Sequence, residues 1–63
     1  MAATAAATAA ELQEALNVNW RRLESARVYL AKLEDDEDWQ EWGACWDTIN
    51  GLLDERVTLR ARL

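Results

Sequence analysis

From residue 9 to residue 33, Ala9, Leu12, Leu16, Asn19, Leu23, Ala26, Leu30 and Leu33 recur at alternating steps of three and four. A helix turns once in 3.6 residues, so these positions form one continuous stripe on one side of a helix. A strand alternates its side chains every second residue and would scatter the same set over both faces. The chain is therefore committed to a helix with a seam, and a seam needs something to pack against. Trp20 and Tyr29 flank it and widen the apolar face. The one polar member, Asn19, is either a local tolerance or a device that fixes register and oligomer state in such seams. "TAAE", residues 8–11, has capping-box spacing: the Thr8 hydroxyl is placed to accept from the Glu11 amide, with Glu11 reaching back. Lys32 supplies a cation in the last turn, where the helix dipole favours one. Helix 1 is read as about 9–33.

The next stretch, "EDDEDWQEWGACW" at 34–46, sets six carboxylates beside three tryptophans. The acids cannot continue an apolar seam. They suit the start of a second helix, whose free amides attract anions. Asp38, with Glu41 three residues later, is the expected N-cap, and 34–38 is the expected turn. Helix 2, about 39–62, then carries two adjacent apolar lines. One is Trp39, Trp42, Trp46, Ile49 and Leu53; the other is Trp42, Cys45, Ile49, Leu52, Leu59 and Leu63, with Arg56 interposed. Gly43 and Gly51 each weaken a helix by roughly 1 kcal/mol relative to alanine. The apolar phase nevertheless runs unchanged through "NG" at 50–51, so a continuous helix is expected. Arg60 and Arg62 complement its C-terminal dipole.

Two helices joined by a short turn pack antiparallel. With the turn centred on Asp36, Trp42 and Trp46 are expected opposite Leu30 and Ala26 as core, and Trp20 near Leu52 and Leu53. Trp39 and Trp20, nearer the stripe edges, are candidates for an interface. The absence of proline and the abundance of Ala, Leu, Glu and Arg agree with a nearly all-helical chain. The expected architecture is all-α: a flexible Ala/Thr-rich segment over 1–8, then an antiparallel two-helix hairpin over 9–63. Stripes this broad are not covered by one partner helix. The hairpin is therefore expected to dimerise into a four-helix bundle, the remedy open to a small chain whose single cysteine, Cys45, cannot form an internal disulfide.

Composition removes several function classes. There is no histidine, the commonest general base and zinc ligand. Ser25, Cys45 and the carboxylates show no nucleophile–base spacing, so no enzyme is expected. The acids at 34–38 lack the alternation, sixth-position glycine and twelfth-position glutamate of a calcium loop. No metal or other cofactor is expected. Cys45 reads as a small buried hydrophobe. The net charge is −5, and tight phosphate binding needs many basic contacts, so nucleic acid is an unfavoured partner. No apolar run reaches the length of a membrane span. "MAATAAATAA" lacks the basic and Leu-rich regions of a secretory signal. An unpaired cysteine suits a reducing compartment, and a cytoplasmic location is expected.

These features read as a non-enzymatic protein–protein interaction module, a small adaptor, co-chaperone or assembly component presenting an apolar helical face. Its expected partner is a second copy of itself or a helix of another protein. The residues assigned to the dimer or partner interface are Leu16, Asn19, Trp20, Leu23, Trp39, Trp42, Trp46, Ile49 and Leu53. The alternative is a regulator linked to nucleic acid. It would be either an RNA-binding hairpin dimer using Arg21, Arg22 and Arg27, or an acidic protein blocking a basic nucleic-acid-binding site. The layout is similar to that of plasmid copy-control RNA-binding dimers and small type III secretion co-chaperones; the similarity is one of layout, with no shared motif.

Overall fold

The computed structural model describes residues 8–63. The segment expected to be flexible lies outside the described residues, apart from Thr8. Two helices, α1 (Ala9–Asp35) and α2 (Trp39–Ala61), pack against each other as an antiparallel hairpin. Among the described residues no helix is long and apolar enough to cross a membrane.

Both helix starts use the capping residues expected of them. The Thr8 hydroxyl accepts from the Glu11 amide at 3.1 Å and lies 3.3 Å from the Glu11 carboxylate, to which it donates. Asp38 accepts from the Glu41 amide at 3.3 Å. Replacing Asp38 with Ala removes that acceptor from the α2 N-terminus and should cost about 1 kcal/mol. A thermal melt would show this, and an unchanged midpoint would mean the cap carries no stability.

α1 runs two residues past the expected end at 33, and the reason lies in how the chain turns. The Asp38 amide donates to the Leu33 carbonyl at 3.0 Å, and the Glu37 amide to the Glu34 carbonyl at 3.2 Å. This pair of bonds is a Schellman closure, which satisfies the last carbonyls of α1 while reversing the chain. It requires a left-handed residue after the C-cap, and Glu37 takes that role with φ 56. Glycine does this without strain, whereas a residue with a Cβ is destabilised by roughly 1–2 kcal/mol. Part of that gain is offset by the greater freedom of glycine in the unfolded chain. Glu37→Gly is therefore expected to stabilise the hairpin by about 0.5–1 kcal/mol, read as a higher midpoint in urea. A lower midpoint would contradict the left-handed turn.

The core sits between the helices toward the turn. Leu23, Leu30 and Leu33 of α1 and Cys45 and Ile49 of α2 are buried together, with Ala26, Trp42 and Leu52 packed against them. Leu12 and Leu16 continue the buried line of α1 toward the open end. α2 continues through Gly43 and Gly51 without a break.

One expectation about the core needs correction. The Cys45 thiol, not the Trp46 indole, lies opposite Ala26, with Sγ 3.4 Å from the Ala26 carbonyl oxygen it donates to. Trp46 is 38% exposed. The line through Trp42, Cys45, Ile49 and Leu52 faces α1, and the line through Trp39, Trp46 and Leu53 lies beside it. The physical reason is spacing. Helix axes approach to about 8–10 Å when small side chains meet at the contact. Ala26 against Cys45 allows this, and an indole aimed at the facing backbone does not.

Candidate functional site

Asn19 is fully buried, at 0% exposure. Its amide nitrogen donates to the Leu52 carbonyl at 2.8 Å and to the Glu55 carboxylate at 3.1 Å. A buried amide left without partners costs about 1–3 kcal/mol, so these bonds penalise any slip of α2 along α1. Asn19 thus locks the hairpin's own register. Its Oδ1 has no hydrogen-bond partner among the described residues.

Of the other residues assigned to an interface, Leu16, Leu23 and Ile49 are also buried. Their side chains form the seam of the hairpin, and Leu23 and Ile49 also floor the groove described below. Trp42 is half-buried and tied to the turn by its indole N–H, which donates to the Glu34 carboxylate at 3.0 Å. That bond explains part of the mixed acidic and aromatic stretch. Glu34, on the last turn of α1, orients an indole whose body packs on the core.

The remaining four stay open. Trp20 is 48% exposed, Trp39 57%, Trp46 38% and Leu53 45%. Trp39, Trp42 and Trp46 touch edge to face, with centroids 5.8 and 6.1 Å apart. Edge-to-face aromatic pairs are each worth about 0.5–1.5 kcal/mol beyond burial, which restrains these rings. On α1, the Arg56 guanidinium of the facing helix lies 5.3 Å above the Trp20 ring, a cation–π contact that restrains the indole in the same way.

Trp20, Trp46 and Leu53 share one side of the hairpin. A groove runs along it, with Leu23, Leu30 and Ala31 of α1 and Trp46, Ile49 and Leu53 of α2 as apolar lining, Trp20 at one end and Arg27 and Glu34 on the α1 wall. A second groove shares Trp20 and continues to the open end, where Arg21, Arg56 and Arg60 line it with Gln13 and Leu63. One Arg56 guanidinium nitrogen is buried there with no acceptor among the described residues. The face therefore has three zones: Glu34 near the turn, an aromatic and aliphatic middle, and an arginine-lined open end.

Sequence reading did not find the register bonds of Asn19, the Trp42–Glu34 bond or the polarity of the face. The heptad positions carried the last of these. Gln13, Trp20, Arg27 and Glu34 are each seven residues apart, as are Trp39, Trp46, Leu53 and Arg60, so each set lies along one line of its helix. Among the described residues no cluster of three or more metal-ligating side chains occurs. The sequence matches no family model, and neither a curated protein nor a solved structure matches it.

Proposed function

We propose that the protein is a non-enzymatic interaction module that works by presenting this apolar face, and that the face is completed by helices of another chain to give a four-helix bundle. The observation that carries the reading is the exposure of Trp20, Trp46 and Leu53 along a groove floored by core residues, with Trp39 exposed one heptad before Trp46 on α2. Three indoles exposed to this degree leave about 350 Å² of aromatic surface in water, taking a full side chain as about 250 Å². That is within the range of the largest apolar patches on monomeric proteins, which are often functional. It also supplies nearly half of the about 800 Å² that each partner buries in a stable interface. Aromatic residues are the usual anchors of such interfaces.

A core in a chain of this length supplies only marginal stability, and association is one remedy. Association stabilises the folded hairpin and covers the patch at once. The hairpin then acts as an adaptor or assembly component, with its α1–α2 register locked by Asn19.

Tryptophan emission over a dilution series tests this reading. Emission at micromolar concentration should be blue-shifted and move to longer wavelength on dilution, as buried indoles return to water. A spectrum that stays unchanged over that range, with helicity intact, would contradict it.

A further inference from the structure

Resting on that reading, we propose that the occupant of the face is a second copy of this chain, docked head to tail so that the two acidic turns lie at opposite ends of the bundle. Each hairpin presents Glu34 at the turn end of the face, with the acidic turn 34–38 capping that end of the hairpin, and Arg56 and Arg60 at the other end of the face. Two copies can cover the full groove with their turns together or with their turns apart. Turns together bring ten carboxylates from residues 34–38 into one end of the bundle, where like charges repel. Turns apart bring each acidic end onto the other copy's arginines, which attracts and orients the pair.

The heptad lines give the register. A two-fold axis across the bundle beside Ile49 sets Trp39 of one copy against Arg60 of the other, and Trp46 against Leu53. The same axis, passing beside Leu23, sets Trp20 against Arg27 and Gln13 against Glu34. Indole over guanidinium is a cation–π pair, indole on leucine is apolar contact, and an amide donates to a carboxylate. Each pairing occurs twice, because a two-fold interface is self-complementary. Both lines centre at nearly the same height along the hairpin, as the cross-helix contacts of Asn19 with Leu52 and Cys45 with Ala26 require. With turns together, α1 of each copy would face α2 of the other, and none of these four pairings would form.

The test uses the full chain with Asp36→Cys and a nitroxide label, Cys45 being buried and so protected from native-state labelling. Cys45→Ala in the same chain is the control for selectivity. Sedimentation equilibrium is run first on each labelled sample. A dimer with label-to-label distances near 40 Å supports the proposal, since each turn lies about 13 residues from the axis at about 1.5 Å per residue. Mixing Asp36-labelled copies with copies labelled at Arg62→Cys should add distances under about 20 Å, the scale of neighbouring helices. A dimer whose Asp36 labels lie within about 20 Å of each other overturns the head-to-tail arrangement and leaves the interaction face standing. A monomer at micromolar concentration overturns self-association, and the proposal with it.

Discussion

Ile49→Ala is expected to destabilise the protein by about 2–5 kcal/mol, the range for deleting a buried branched side chain. Ile49 is 4% exposed and belongs to the cluster with Leu23, Leu30, Leu33 and Cys45. It also floors the groove beneath Trp46 and Leu53. Truncation removes methyl groups from the α1–α2 seam and opens a void under the face, so the hairpin weakens and the proposed assembly with it. Small domains have only a few kcal/mol in total. The variant should thus be largely unfolded at room temperature, or fold only at high concentration. Val57→Ala, at a residue 69% exposed on α2, is the control and should change stability by under about 0.5 kcal/mol. Urea denaturation of both variants at one protein concentration decides the matter. A loss under about 1 kcal/mol for Ile49→Ala would contradict the seam as described.

Trp46→Ala should separate stability of the hairpin from stability of the assembly. The ring stands on the flank of α2, braced edge-on by Trp42, and its outer surface is open. In one chain its loss removes partial burial and one aromatic contact. In the proposed bundle it would be an aromatic anchor, and hot-spot residues of that kind cost 2 kcal/mol or more when truncated. The dissociation constant should rise about thirtyfold or more. Helicity at high concentration should be retained. If helicity fell at every concentration while association per folded chain stayed the same, Trp46 would belong to the hairpin core.

The hairpin was legible in the sequence because its strongest signals are local. The Thr8 and Asp38 caps follow from side chains three residues from the amides they meet. The α1 seam follows from leucines whose spacing admits only one face. Turn geometry was less legible. Glu37 adopts a left-handed conformation with no glycine to announce it, because hydrogen bonds closing α1 and the start of α2 hold it there. The phase of α2 was ambiguous for a different reason. Its two apolar lines lie side by side, and hydrophobicity alone favours the one richer in tryptophan. Size decided against it: only the small Cys45 fits opposite Ala26 at close approach, which pushes Trp46 outward. Asn19 illustrates a third limit. Its polar character in a seam pointed to a register device, yet the carbonyl and carboxylate it binds depend on the packed hairpin.

The aromatic side chains displaced from the seam are the ones that make the face. Close helix packing around Ala26 and Cys45 and open indoles at Trp20, Trp39 and Trp46 are two results of one arrangement. Covering those indoles is the central claim. Sedimentation equilibrium of the unmodified chain at micromolar concentration tests it most directly. The account predicts a species of twice the 7.2 kDa chain mass, dissociating only on dilution. A helical, cooperatively folded species of single-chain mass at those concentrations would contradict it.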